Sequence, residues 1–438
     1  MQDLENNQKQ SNMQKVALTA LAGTSIEWYD FFLYGAAAAL IFPTAFFGEM
    51  PPTTALLLSL LTFAAGFIAR PIGGIIFGHF GDKVGRKKTL ISALMLMGIS
   101  STLIGLLPTY AMIGVAAPIL LTSLRFAQGL AIGGQWGGAM LLVTESAPSN
   151  QRGYYGAFAQ AGAPIGVILA NLALIITSAL VSEEFFNTWG WRIPFLASAV
   201  LILISMYIQL NLEDTDAFKA LVDNKGIQSD ENIKKSPVIE AIKKYPKRIF
   251  LAAGAFLSVQ VTFYILIAFM LAYGVTSANM ARDDMLAAVL IASAIMVPIQ
   301  FVFSSYSDRH GRKGIFMLGA VLTGIWAFVI FPLVDTGNFY LIVLAITGGL
   351  VFLAMMYGPQ AAFFTELFST EVRYSGATLG YQFGAIVGGA FAPTIAVKLW
   401  TEFDIIWVSA YIALASLLTL ISVMALTETY QSDLNNTD

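Results

Sequence analysis

Gly81-Asp82-Lys83-Val84-Gly85-Arg86-Lys87 is followed 226 residues later by Ser307-Asp308-Arg309-His310-Gly311-Arg312-Lys313. A second pair keeps the same order at nearly the same offset. Thr144-Glu145 with Arg152-Gly153 recurs as Thr365-Glu366 with Arg373, 221 residues on. Each copy is a short charged island in apolar sequence. Two elements repeated in one order make the chain a duplication. What is duplicated follows from the apolar sequence around the islands.

The chain has 438 residues, of which 57% are hydrophobic and only 12% charged. A soluble domain carries about 25% charged residues to cover its surface, so a chain this apolar has lipid as its solvent. A net charge of −3 offers no basic face for nucleic acid. Cysteine is absent, and the two histidines, His79 and His310, lie in or beside the repeated islands. Thiolate metal sites and Ser-His-Asp chemistry have almost no raw material. No metal, no cofactor and no enzymatic activity are expected.

Twelve apolar segments approach or exceed the roughly 20 residues that span a bilayer: 16–42, 54–79, 89–108, 114–143, 153–181, 192–212, 248–275, 284–305, 314–333, 339–365, 374–399 and 404–427. They are too long for barrel strands and do not alternate apolar with polar, so they read as helices. The expected fold is an all-α membrane protein, with twelve transmembrane helices in two pseudo-symmetric six-helix bundles related by an axis along the membrane normal. With the N-terminus in the cytosol, 19 of the 24 Lys and Arg residues fall on the cytosolic side. Arg192, Arg282 and Lys398 fall outside, and Arg70 and Arg125 within spans. The organisation is then a cytosolic tail 1–15, a bundle 16–212, a cytosolic linker 213–247 dense in both charge signs, a bundle 248–427 and a tail 428–438. Both termini are cytosolic, in a multi-pass protein of the inner membrane. The first apolar segment is too long for a signal peptide and has no cleavage site after it.

The loop Gly78-x-x-Gly81-Asp82-Lys83-x-Gly85-Arg86-Lys87-Lys88 resembles the best-known motif of the major facilitator superfamily, and Arg125-x-x-Gln128-Gly129 resembles its proton-coupling motif. Within that superfamily four further stretches are similar to the metabolite:H⁺ symporter family. These are Glu27-Trp28-Tyr29-Asp30-Phe31 with Tyr34-Gly35, Gly133-Gly134-Gln135-Trp136-Gly137-Gly138-Ala139, Trp191-Arg192-Ile193-Pro194-Phe195 and Arg373-Tyr374-Ser375-Gly376-Ala377. That family includes carriers of shikimate, α-ketoglutarate, citrate and proline or betaine, and the chain looks nearest to the shikimate type. The resemblance implies the major facilitator fold and proton-coupled symport by alternating access. Three departures stand out. Gln135 replaces a glutamate of several relatives, Glu213-Asp214-Thr215-Asp216-Ala217-Phe218 replaces an acidic-Thr-Pro-Phe pattern, and Ser304 replaces the first glycine of the second loop motif.

Four ionisable groups lie well inside spans: Glu27, Asp30, Arg70 and Arg125. Each costs several kcal/mol at bilayer depth, which makes it a functional candidate. Glu27 and Asp30 share a helix face, and Tyr34 extends that stripe. The resemblance puts proton coupling on Asp30 or Glu27 with Arg125, Asp30 being the first choice. Arg70 is a fixed cation whose planar fork suits a carboxylate, so the expected cargo is a small organic anion or zwitterion. Neutral candidates for the cavity are Gln128, Gln135, Trp136, Gln160 and Asn171 in the first half, and Gln260, Tyr264, Gln300, Tyr357, Gln360 and Gln382 in the second. For each amide, an interhelical hydrogen bond worth about 0.6 kcal/mol is the competing reading. The loop residues Asp82, Gly85, Arg86, Glu145 and Arg152, with Asp308, Gly311, Arg312, Glu366 and Arg373, are expected to form a cytosolic gate. In it Asp82 faces a helix N-terminus of the other half, and Glu145 and Arg152 pair with Arg86 and its neighbours. Expected partners are protons, the small-molecule cargo and the bilayer, with the chain acting as a monomer. The rival readings are a uniporter or exchanger of the same fold, a membrane enzyme and a non-transporting sensor.

Overall fold

The computed structural model describes residues 2–84, 86–133, 140, 143–213, 237–369 and 372–430. Side chains are described for these except at 2–12, 78–84, 86–90, 208–213, 237–240 and 374. Among the described residues there is no strand, and twelve long helices occupy the twelve expected spans. They are α1 (Gln2–Leu40), α2 (Pro52–Val84), α3 (Arg86–Leu106), α4 (Ala116–Gly133), α5 (Arg152–Leu180) and α6 (Arg192–Glu213). Then come α7 (Pro246–Thr276), α8 (Arg282–His310), α9 (Arg312–Val334), α10 (Phe339–Glu366), α11 (Arg373–Ala385, Ile386–Ala390 and Ala392–Glu402) and α12 (Ile405–Ala425).

Nine described helices are individually long and apolar enough to cross a bilayer. A tenth span is α6 with the short helix Glu183–Gly190, bent by 53°. The other two are α1, diluted by its polar start and by Glu27 and Asp30, and α3, whose apolar stretch Ile91–Leu106 is short. The polar residues before 16 are not a separate tail: α1 runs through them from Gln2. In the expected linker, Pro237–Lys244 is a helix that buries Ala241 and exposes Ile242, Lys243 and Lys244, while 214–236 lie outside the described residues.

The packing repeats as the sequence does. In the first half α1 lies on α5 and α6, α2 on α4, and α3 on α6. In the second half α7 lies on α11 and α12, α8 on α10, and α9 on α10 and α12. The seam between the halves is α5 against α8 and α10, α2 against α11, and α1 against α7. The repeat maps α2 onto α8 and α5 onto α11, so the α2–α11 and α5–α8 contacts are images of one another.

Glycines set the tightest contacts. A Cβ at Gly129 would lie 2.1 Å from the Gly66 carbonyl oxygen, and one at Gly133 would lie 1.9 Å from that of Arg70. The backbones of α2 and α4 therefore touch, as the Gly129/Gly133 spacing permits. This contact fixes Arg70 and Arg125, one on each helix, relative to one another. Gly162 and Gly166 seat α5 on α1 in the same way, against Thr24 and Trp28. Between α8 and α9, Gly311 holds φ at +100°, where a side chain is strained. Arg192 opens α6 by donating to the Gly105 and Leu107 carbonyl oxygens at the end of α3 (3.1 and 2.6 Å), which gives a buried guanidinium to carbonyls that the helix end leaves orphaned.

Gly133→Ala should destabilise the protein by about 1–3 kcal/mol, because two backbones must part. Gly314→Ala, with nothing within 4 Å of the added carbon, should be neutral or slightly stabilising. Thermal unfolding in detergent, followed by intrinsic fluorescence, compares the two.

Candidate functional site

The site begins with charges that have no counter-charge in contact among the described residues. Asp30 is buried on α1. Its Oδ1 accepts a short hydrogen bond from the Ser198 hydroxyl of α6, and its Oδ2 has no partner. Arg125 is fully buried on α4; its Nη1 donates to Gln128 Oε1 (3.0 Å), and Gln128 Nε2 donates to Ser101 Oγ of α3 (2.7 Å). Arg125 Nε and Nη2 have no partner, and neither do Arg70 Nε and Nη2 on α2. In both arginines the open atoms are one whole edge of the guanidinium, the edge that grips a carboxylate with two parallel bonds.

The expected Asp30–Arg125 contact is therefore not a direct ion pair. Asp30 is bonded to Ser198 and Arg125 to Gln128 instead, and the arginine is housed by rings. Its Cζ lies 4.1 Å from the Phe31 ring centre, 4.3 Å from Tyr34 and 4.7 Å from Phe63. Arg70 Cζ lies 4.3 Å from Phe67, 4.4 Å from Phe31 and 5.4 Å from Trp28. A desolvated cation over an aromatic face gains about 2 kcal/mol. Several faces per cation offset part of the burial penalty without an anion. Glu27, one turn from Asp30, is half-buried.

At the seam a closed cavity of about 10 Å³ is lined by Trp28, Phe32 and Ala163 from the first half and by Val259, Gln260, Phe263, Tyr264, Tyr357 and Tyr381 from the second. It holds about one water. Of the expected cavity residues, Gln260, Tyr264 and Tyr357 line it. Arg70 does not line it; its Cζ lies 5.4 Å from the ring centre of Trp28, one of the lining residues. Gln360 and Gln382 are buried with unpartnered amide atoms, as is Gln260 Nε2. Other candidates are engaged elsewhere. Gln160 donates to the Tyr357 carbonyl oxygen (3.3 Å), Asn171 to that of Leu286 (3.1 Å) and Gln300 to that of Ala157 (3.2 Å), so all three stitch one half to the other. The Tyr34 hydroxyl is bonded to Thr62 (2.6 Å), and Gln128 belongs to the Arg125 chain. Gln135 and Trp136 lie outside the described residues. Sequence reasoning did not single out Trp28, Phe32, Phe263, Tyr381, Ser101 or Ser198 for the site. Trp28 and Phe32 stand four apart and flank Asp30, a spacing that could have marked them.

Both ends of the seam are closed. At the end that carries the repeated islands, expected to face the cytosol, Asp308 accepts from the backbone N–H groups of Gly153 and Tyr154 (both 2.8 Å), at the N-terminus of α5 in the other half. Arg312 ties Asp308 (2.6 Å) to Glu366 (3.1 Å). Arg373 reaches Glu145 (3.4 Å), and Arg152 lies 4.0 Å from Glu366, so the described partners of Glu145 and Arg152 lie across the seam. From the end of the chain, Glu428 accepts from the backbone N–H of Arg312 (2.8 Å) and of Lys313 (3.0 Å), and the Thr429 hydroxyl donates to Glu366 (2.8 Å). Of the expected gate residues, Gly85 lies outside the described residues, as do the side chains of Asp82 and Arg86. At the opposite end Arg282 of α8 donates to Ser178 (2.8 Å) and Asn187 (3.2 Å) and covers the Phe186 ring at 4.0 Å. Composition had marked Arg282 only as an outside charge.

The family model described as Major Facilitator Superfamily matches residues 20–380. The chain is 39% identical over 432 residues to the inner membrane metabolite transport protein YhjE of Escherichia coli K12, covering 97% of this chain and 96% of that one. It is 37% identical over 405 residues to the shikimate transporter of the same organism, covering 92% of each. Among solved structures, the partially occluded inward-open form of the E. coli xylose transporter XylE superposes with a TM-score of 0.72 at 17% identity, covering 97% of this chain and all of that one.

A hydrogen bond to a charged group is worth about 1.5–3 kcal/mol. One substitution should therefore unbalance the seam. Asp308→Ala, or Gly153→Val, whose side chain would press on Arg312, Asp308 and the Ser304 carbonyl, should speed labelling of a single cysteine at position 163 by about tenfold or more in inverted vesicles. The absence of native cysteine makes that reporter the sole target.

Proposed function

Because the chain belongs to the Major Facilitator Superfamily and to its metabolite transporters, we propose that it carries a small organic carboxylate, together with a proton, across the cytoplasmic membrane by alternating access. The observation that carries this reading is Arg70: a buried guanidinium behind Trp28 of the cavity lining, with Nε and Nη2 both unpartnered among the described residues. A carboxylate supplies the two acceptors that this edge lacks, and rings around it exclude water from the bonds.

Charge balance then couples cargo to proton. A monocarboxylate on Arg70 adds one negative charge to the buried set, and a proton on Asp30 Oδ2 removes one. Loaded with both, the set has the same net charge as when it is empty. Loaded with one alone, it carries an unbalanced charge through the occluded state, at a cost of several kcal/mol. Co-loading is thus the favoured route through occlusion, and it favours a monoanion over a zwitterion. The seam contacts open in turn, the Arg282 cluster on the outside and the Asp308–Arg312–Glu366 cluster in the cytosol. The charge bias of the loops supports cytosolic termini. One chain encloses the whole site, so the working unit is a monomer.

The test uses the purified protein in vesicles with an imposed pH gradient and labelled shikimate, α-ketoglutarate, citrate, proline or betaine. Acid outside should drive uphill accumulation of a monocarboxylate, and a protonophore should abolish it. Asp30→Asn should lose uphill accumulation and keep exchange. Arg70→Lys, which retains charge but not the fork, should raise KM by about 10–100-fold. Uphill uptake surviving in Asp30→Asn, or an unchanged KM in Arg70→Lys, refutes the corresponding role.

A further inference from the structure

We infer that Phe31 is a positioning residue that sets cargo affinity: its one ring carries both Arg70 and Arg125 while the site is empty, and competes with the cargo carboxylate for Arg70. The inference rests on the reading of Arg70 as the partner of that carboxylate and deepens it. Asp30 and Phe31 are neighbours on α1, and successive residues of a helix point about 100° apart. Asp30 turns to Ser198 of α6, while Phe31 turns to α2 and α4. The Phe31 ring centre lies 4.4 Å from Arg70 Cζ and 4.1 Å from Arg125 Cζ. Among the described residues no other ring lies under both cations. The ring is buried, and Phe63, Phe67 and Trp28 close on it at 4.9, 5.3 and 5.4 Å between ring centres, so its place is fixed.

The two cation centres are no further apart than those two distances together. A ring face is negative, so it attracts each guanidinium of the empty site. A carboxylate on Arg70 reverses the balance at that ring. It cancels the charge that the face attracts, and it brings a negative charge that the face repels. The ring therefore stabilises the empty site more than the loaded one. Its shape and its charge distribution act in opposite directions. As a spacer, Phe31 holds Arg70 in place, and loss of that packing weakens binding. As a negative face, it weakens binding by its presence. Two buried positive charges draw an anion in, and the shared ring keeps the bound state shallow enough to release it.

The experiment alters the face and keeps the shape. Phe31→3,5-difluorophenylalanine and Phe31→3,4,5-trifluorophenylalanine, installed by codon reassignment, draw electron density from the ring in steps; the difluoro form suffices should the trifluoro form not fold. Uptake into vesicles is measured with whichever of labelled shikimate, α-ketoglutarate, citrate, proline or betaine the parent accumulates. The same replacements at Phe46 report what fluorine does to packing alone. That ring is buried against Phe42 and Trp191, with no cation over it among the described residues. KM should fall with each step at position 31, by about three- to tenfold over the series, and stay unchanged at position 46. A purely structural role for Phe31 predicts the opposite sign. A KM that is unchanged or rises in the position-31 series, or that falls equally at position 46, overturns the inference, and Arg70 keeps its role where Arg70→Lys still raises KM. An unchanged KM in Arg70→Lys, or no accumulation of any of the five compounds by the parent, removes the carboxylate reading and this inference with it.

Discussion

Two guanidinium groups resting on aromatic rings, with no salt bridge to a carboxylate among the described residues, set the terms for the rest of this protein. An arginine in a lipid-facing bundle is expensive, and the usual remedy is a salt bridge. Here the remedy is a set of ring faces, with Phe31 within 4.5 Å of both cations. This keeps the positive charges in the dry interior and leaves one edge of each open. A salt-bridged arginine would be as well buried, but it would have no unfilled edge for an arriving anion.

That arrangement explains the stringent packing around it. Rings act on a cation only at close range, so α2 and α4 must lie where Arg70 and Arg125 reach the same aromatic cluster. The backbone contacts at Gly129 and Gly133 hold them there, and Gly66 leaves room for Arg125, since a Cβ at that position would lie 2.7 Å from its Nε. The seam between the halves has the opposite character. Among the described residues its polar contacts are single amides, one aspartate at a helix N-terminus, the Arg373–Glu145 and Arg152–Glu366 pairs and an arginine cluster at the opposite end, contacts that can be exchanged one at a time. A rigid half that keeps charges dry and a weak seam that lets halves rock are complementary requirements of one cycle.

Much of this was legible in the sequence. Hydropathy located the spans, and the two repeated islands showed the duplication that the α2–α11 and α5–α8 contacts display. The rarity of charge in lipid picked out Asp30, Arg70 and Arg125. The islands also marked Asp308, Arg312, Glu366 and Arg373, because loops this charged beside spans have little else to do than anchor or latch. What the sequence did not reveal depends on geometry between helices. Whether Asp30 touches Arg125 is decided by how the helices are turned, and a serine such as Ser198, which meets Asp30 instead, is too common in membrane helices to attract notice. The same holds for Gln160, Asn171 and Gln300, which have the composition of a binding site and the position of stitches. Rings are frequent in this chain, so only their convergence distinguishes Trp28, Phe32, Phe263 and Tyr381 from ordinary packing.

The interior of α7 and α11 contains one more feature of consequence. Each is interrupted by a wide turn, Ile265–Phe269 and Ile386–Ala390, where the hydrogen bonds skip five residues instead of four. Tyr264 stands at the edge of the first, and Gly389 of the second lies against that same ring. A wide turn is a surplus residue lodged in a helix, and like a ruck in a carpet it can travel. Moving it by one position swivels the residue it passes by about 100° while the number of backbone bonds is conserved. The wall of the cavity is thus built on helices whose side chains can be re-aimed by creep, without melting the helix or displacing its ends.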